Sequence, residues 1–586
     1  MRKQNILQSL LLPAVCLSAF MLILLCCSRY CMAFKEQTGI FFFGPGCLSR
    51  YAGCPALLAS AIGDLLTRFF MAEWAAVAIS MAFVVLLWLG ICRFMHLVSA
   101  GKSCLICLVP VALECAFMTF PNYPLSASVG LVTGMWAAVA VAGVKNGGLR
   151  CAAYLAGVPL LFVLAGGPAS VLFALILVPV LGKYGIRHIE FGLRNFLLLA
   201  VSVGLFCVVA RLYGMHFGQA VIYPVTSGYI IPAPALVALN PVLLALAVWV
   251  SALIPGMKAI AVVPPIVSLA ALFALKSSEN LESSIRIGSL AYHGEWDKVR
   301  ETALGDGGSR YGLYFYNLSY AREGKLPDGL LSVTQSRLSD GLFLSSERGE
   351  SYLSSFYWSM GLLEMGDFPQ ANDAALLGQT VMPGGYSSRM MRTLAEIAVA
   401  SGEYDVALKY LDILSRTPGH AGWASALRKS LLEDNLPERY VILQRRASHN
   451  TDAMFAQGDI RTSLRNIADA NPSNKVAADY LMCSALLEKK INSFIGMYER
   501  WYNTNPYRSA VVPPLYEQAL LVNVNSRESL MECARRYRLS QATVDRYMEF
   551  LGDQADAQGN LAKLKKYSDT YWYYIMSVNL IGKEDR

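Results

Sequence analysis

The chain has 586 residues, 55% hydrophobic and only 16% charged, a balance that excludes an ordinary soluble protein and points toward a membrane. Its formal net charge of +8 is unevenly divided: residues 1–276 carry sixteen Lys/Arg against five Asp/Glu, whereas residues 277–586 carry 34 against 37. Basic residues between apolar runs act as topology signals, and no basic run with interleaved aromatics occurs, so nucleic acid is not an expected partner.

A bilayer crossing takes about 20 apolar residues. Nine spans are predicted, at 6–27, 73–92, 103–120, 125–144, 151–165, 168–182, 195–213, 234–254 and 258–275. The first is read as an uncleaved span, because its apolar run exceeds a secretory core and no A-x-A site follows. The fifth and sixth are short and separated only by Gly166-Gly167-Pro168, as in a tight hairpin or a re-entrant pair, so the count ranges from seven to ten.

Loop charges alternate. Arg2 and Lys3 precede the first span; Arg93, Lys102, Lys145, Arg150, Lys183, Arg187, Arg194 and Lys258 fall on the same side, and the loops near Pro121 and Gly166 carry none. Arg211 and the long first loop, with Arg29, Lys35, Arg50 and Arg68, depart from the pattern. The N-terminus is therefore expected in the cytoplasm, and nine spans leave residues 277–586 outside.

Within the first loop, Leu58, Ile62, Leu65, Leu66 and Phe69 recur at helical spacing, with Asp64 and Arg68 four apart on another face. This predicts an interfacial helix near 55–70, with Pro55 suited to its first turn. Cys47 and Cys54 share that loop and could pair. The other first-block cysteines lie mostly inside apolar runs and read as small hydrophobes, including the lone C-x-x-C of Cys104 and Cys107. Glu114 is the acid well inside a predicted span, a candidate intramembrane polar site because burying a carboxylate is costly.

After Lys276 the pattern becomes amphipathic and helical. Gly402 is followed by Tyr404, Ala407 and Pro418; Gly366 by Phe368, Ala371 and Pro383; Lys489 by Ile491 and Pro506. Weaker copies surround Gly294, Gly324 and Gly458, and Tyr571, Trp572, Tyr573 and Tyr574 are expected to pack a terminal cap. The spacings resemble tetratricopeptide repeats over about residues 283–506, which implies a concave surface for peptides or protein segments. Arg389, Arg392, Arg428, Lys429, Arg445 and Arg446 would favour acidic partners there.

As a whole the chain resembles uncharacterised bacterial multi-pass membrane proteins with a helical-repeat tail. That resemblance implies the inner (plasma) membrane and names no activity. The expected fold is all-α: a polytopic transmembrane bundle over 1–276 followed by a soluble α-solenoid over 277–586. No cofactor is expected, since the chain has no phosphate loop, no H-E-x-x-H and no G-x-S-x-G.

The leading expectation is a membrane-anchored external scaffold for protein–protein interaction in the cell envelope. An alternative follows from a likeness in layout to multi-pass glycosyltransferases that use polyprenyl-phosphate sugars. There Glu36 or Asp64 would be the general base on the acceptor, and Arg211 would hold the lipid phosphate. The paired acidic motif common in those enzymes is missing. A transporter working through Glu114 is the third class.

Overall fold

The structure is a computed structural model and describes residues 2–578, apart from 45, 100–103, 181–187, 227–233, 254–261, 306–307, 345–351, 383–385, 448–458, 504–510 and 525. The described residues form helices and turns, with no strand among them. They divide into two compact units. The first comprises Met1–Ile285 with Met382–Arg389 and Asp412–Ser425; the second comprises Arg286–Val381, Met390–Leu411 and Ala426–Arg586.

In the first unit, five helices are long and apolar enough to cross a membrane: Glu73–Val98, Leu125–Ala142, Gly147–Ala165, Arg194–Leu212 and Ala235–Leu253. A sixth candidate, Leu11–Cys27, bends by 86° into Arg29–Gln37. The remaining expected spans fall on the shorter apolar helices Leu105–Met118, Gly167–Val180 and Val263–Leu275. Thirteen residues, the length of the last, reach about 20 Å against a hydrocarbon core of about 30 Å. Lys102, Lys183, Arg187 and Lys258 lie outside the described residues.

Helix Leu125–Ala142 meets its neighbours backbone to backbone. A Cβ on Gly134 would lie 2.6 Å from the Ala169 carbonyl oxygen and 2.8 Å from the Ala169 Cα, and one on Gly130 would strike the Ala165 carbonyl. The four-residue spacing puts both glycines on one face. Between apolar helices in hydrocarbon, such close approach supplies the attraction that burial supplies in water.

The first loop does form a helix, Leu57–Thr67, continued by a 3-10 turn Arg68–Met71. Leu58, Ile62 and Phe69 are exposed, while Arg68 is buried, so the apolar stripe faces outward and the charges inward. That arrangement suits a helix lying against a bilayer surface. Cys47 and Cys54 are both free thiols. Cys104 Sγ lies 3.7 Å from Cys92 Sγ, and Cys107 Sγ lies 3.9 Å from Ser251 Oγ, so the C-x-x-C residues face different neighbours.

From Glu279 onward helices come in pairs joined by tight turns: Glu279–Tyr292 with Trp296–Gly305, Tyr352–Met365 with Phe368–Val381, Ser388–Ala400 with Tyr404–Ser415, and Lys475–Leu487 with Ile491–Met497. Each turn holds one residue at positive φ: Gly294 (77°), Gly366 (86°), Gly402 (79°) and Lys489 (57°). Glycine enters that region freely, whereas a side chain costs about 1–2 kcal/mol. Lys489 offsets this by donating its Nζ to the Ile575 carbonyl at 2.6 Å and to the Val578 carbonyl. Gly458, Pro383 and Pro506 lie outside the described residues.

The terminal aromatics close helix Lys475–Leu487. Tyr571, Trp572 and Tyr574 are buried. The Tyr571 and Tyr574 hydroxyls donate to the Leu486 and Leu487 carbonyls at 2.7 and 2.8 Å, carbonyls that a helix end otherwise leaves unpaired.

Asp479, on the same helix, is buried; it accepts from the Tyr516 hydroxyl at 2.8 Å, with Lys475 Nζ 3.9 Å away. Burial pushes its carboxyl up to about 7, against the pull of Lys475 and Tyr516. An unfolded Asp titrates near 3.9, so the folded state binds an extra proton between roughly pH 4 and 7. Stability from this group is full below that window and is lost as pH rises through 7. Asp479→Asn removes the slope: its melting temperature should match the parent at pH 4 and exceed it by roughly 5 °C at pH 8. Parallel pH dependences for the two proteins in thermal melts would refute this.

Candidate functional site

The most concentrated polar chemistry of the first unit gathers around the bend after the first apolar helix. Helix Leu11–Cys27 stops at Ser28, and the chain turns into a short helix, Arg29–Ala33, and a 3-10 turn, Phe34–Gln37. The Tyr30 and Cys31 amides at its start both donate to the Glu282 carboxylate at 2.8 Å. The carboxylate thus caps the positive end of a helix. All four residues of the 3-10 turn are buried, which brings the adjacent charges of Lys35 and Glu36 inside.

Glu36 is met from far along the sequence. Its Oε2 accepts from Arg389 Nε at 2.8 Å; its Oε1 accepts from Ser388 Oγ at 2.7 Å and pairs with His420 Nε2 at 2.8 Å, with Arg68 Nη1 at 4.0 Å. Since the carboxylate can only accept, His420 carries a proton on Nε2, and its Nδ1 has no partner among the described residues. All of these side chains are buried. Charge-assisted bonds of this length hold Glu36 as an anion through both oxygens. A general base needs a lone pair aimed at the proton it takes, and here Oε1 accepts two bonds and Oε2 one.

Asp64 stands one layer out. Its Oδ2 accepts from the Tyr51 hydroxyl at 2.8 Å. The Arg68 side chain, four residues on, bonds the Asp64 carbonyl from Nε at 3.1 Å and the Gly39 carbonyl from Nη1 at 2.7 Å. Burial raises the Asp64 carboxyl above the usual range despite the opposing pull of Arg68 and Tyr51. Arg68 therefore links the two acids. Arg50 packs 4.6 Å over the Tyr386 ring, and the Phe43 amide donates to the Arg416 carbonyl at 3.1 Å.

Lys35 points to a second nest. Glu114 accepts from the Tyr123 hydroxyl at 2.8 Å, from Ser128 Oγ at 2.6 Å and from Asn240 Nδ2 at 3.0 Å. Lys35 Nζ lies 5.6 Å from the Tyr123 ring centre and makes no hydrogen bond among the described residues. One turn and two helices other than its own thus converge on one acid. Asn240, a lone amide inside an apolar run, was a visible signal; Tyr123 and Ser128, in a loop and among small residues, were not.

The remaining candidates lie elsewhere. Arg211 is exposed in the last turn of helix His188–Leu212 and touches neither acid. Of the arginines expected to meet acidic partners, Arg428 and Arg445 are exposed. Arg389 is spent on Glu36, Arg392 bonds Glu396 at 3.0 Å, and Arg446 bonds Glu364 at 3.0 Å. Among the described residues no cluster of three or more His, Cys, Asp or Glu is placed to hold a metal ion.

One family model matches the chain, over residues 3–577; it is described as a family of unknown function, DUF6057. No curated protein and no solved structure matches.

Proposed function

Because the chain belongs to this family of unknown function across nearly its whole length, we propose from its geometry that it is a membrane-anchored scaffold. The first unit is the anchor, in a bacterial inner membrane. The helix pairs from Glu279 onward form a tetratricopeptide-like array outside, which binds a protein of the cell envelope. The observation that carries this reading is the recurrent helix pair with one left-handed residue at its turn, at Gly294, Gly366, Gly402 and Lys489. Such pairs bury one face on a neighbour and leave another for a ligand.

Parity supports the topology. Segments 36–71 and 386–420 of the first unit share the Glu36 cluster, so they occupy one side of any bilayer. The five long helices alone would separate them; counting the three short apolar helices as crossings gives an even number between them. With the N-terminus cytoplasmic, that common side is external.

The polyprenyl-phosphate-sugar transferase has less behind it, since Glu36 is held by Arg389, Ser388 and His420 and Arg211 makes no ion pair with either acid among the described residues. A transporter would require Glu114 to exchange the three neutral donors it holds from Tyr123, Ser128 and Asn240.

A photo-cross-linking residue at Leu376 or Tyr404, both exposed, should give discrete adducts of constant mass on illumination of living cells. No adduct at either position, with the variants present at parental levels, would count decisively against a scaffold.

A further inference from the structure

All fourteen cysteines are free thiols, and among the described residues two of them meet sulfur to sulfur. Cys92 Sγ lies 3.7 Å from Cys104 Sγ, within reach of a weak S–H···S hydrogen bond. The C-x-x-C spacing alone would pair Cys104 with Cys107. Cys107, however, is buried and turns to Ser251 Oγ. The fold selects instead a thiol twelve residues back, on helix Glu73–Val98.

That helix also sets the depth of the pair. Glu73, at its start, is half-exposed and pairs with Arg29 at 3.6 Å, which marks one end of a crossing. Cys92 stands about 29 Å further along the axis, against a hydrocarbon core of about 30 Å. Arg93 and His96 follow it and are exposed, as suits side chains at headgroup level. Both thiols are partly exposed, whereas Cys31, Cys107 and Cys115 are buried. Small reagents dissolved in water therefore reach this pair.

A disulfide needs its sulfurs about 2.05 Å apart, so closure takes a shift of under about 2 Å. Two side chains share it, and Cys104 stands outside any helix, just ahead of the 3-10 turn Leu105–Cys107.

We propose that Cys92 and Cys104 form a reversible disulfide by exchange with a small-molecule disulfide. One thiolate attacks the oxidant and releases a first small thiol; the other then attacks the mixed disulfide and releases a second. Two S–H bonds and the oxidant's S–S bond are lost, and the protein's S–S bond forms. The two small thiols carry away both protons and both electrons. The chemistry rests on the contact between the sulfurs. Its role rests on the topology proposed above, which puts this end of the helix in the cytoplasm, where disulfides are transient and redox-sensing.

The test uses the full-length protein in detergent, held in oxidised or reduced glutathione, blocked with N-ethylmaleimide and digested with trypsin. Cleavage after Arg93 and Lys102 separates the two cysteines, so their bond joins the peptide ending at Arg93 to the one beginning at Ser103. With oxidised glutathione this joined mass should be at least about tenfold more abundant than any other linked pair, and reduced glutathione should remove it. Fragmentation should assign the bond to Cys104, and Cys107→Ser should keep it. No joined peptide overturns the proposal, as does a bond through Cys107 or Cys115. The parental protein alone decides this, whether or not a variant folds.

In growing cells quenched with acid the pair should be reduced, and added hydroxyethyl disulfide should link it. A bond already present in every chain of untreated cells would be a permanent tether and would overturn reversibility. The scaffold reading is tested separately by the photo-adducts and stands or falls without this pair.

Discussion

Glu36→Gln lowers the thermal midpoint of the detergent-solubilised protein by on the order of 10 °C. The amide keeps the shape but removes the charge that Arg389 and Arg68 face at 2.8 and 4.0 Å inside a buried cluster. Removing one partner of a buried pair costs about 3–5 kcal/mol, mostly as the penalty of the charge left behind. At roughly 2–4 °C per kcal/mol for a unit of this size, the midpoint falls by that amount. Arg389→Met should fall similarly, since it strands the carboxylate instead. The double variant Glu36→Gln, Arg389→Met should recover a large part of the loss, because it strands less charge than either single change. Single variants melting within about 2 °C of the parent, or strict additivity in the double, would show that the cluster is not an interdependent ion pair.

Gly134→Leu should abolish the folded, monodisperse protein altogether. Even a Cβ at this position comes within 2.6 Å of the Ala169 carbonyl oxygen and 2.8 Å of the Ala169 Cα, and neither is a side chain that can turn away. The helices would have to separate by a side-chain diameter, losing the contact that holds them in an apolar solvent. Gly134→Ala should already cost about 1–3 kcal/mol by overpacking. Gly204 provides the control: it too lies in an apolar helix, but none of the described residues stands within 4 Å of its Cβ position. Fluorescence-detected size exclusion distinguishes the two, with Gly204→Leu keeping the parental peak and Gly134→Leu losing it. Equal profiles would mean that the Gly134 contact does not set helix packing.

The helices were legible where one local rule governs them. The apolar runs around 73–92 and 234–254 needed only length and hydropathy, and the turns at Gly366, Gly402 and Lys489 needed only spacing. The polar clusters were not legible, because each joins segments that no periodicity connects. Arg389 reads as one more cation on an amphipathic helix; only the fold shows that it neutralises Glu36, 353 residues earlier. Glu114 reads as isolated because two of its donors, Tyr123 and Ser128, carry no local pattern, and the third, Asn240, is 126 residues away. Arg392 and Arg446 look like a surface for acidic partners until Glu396 and Glu364 are seen beside them.

The span between Glu36 and its cations also sets an order of manufacture. A ribosome adding about 5–20 residues per second reaches Arg389 roughly 20–70 s after Glu36, since the two lie 353 residues apart, and His420 follows. For the last part of that interval the apolar helices up to Leu275 are already made, yet the acid at their first bend still lacks Arg389 and His420. The first unit is therefore complete only when the chain, at Ser425, is nearly three-quarters synthesised, and a polypeptide interrupted before Arg389 leaves the ribosome with a carboxylate that lacks its principal cation.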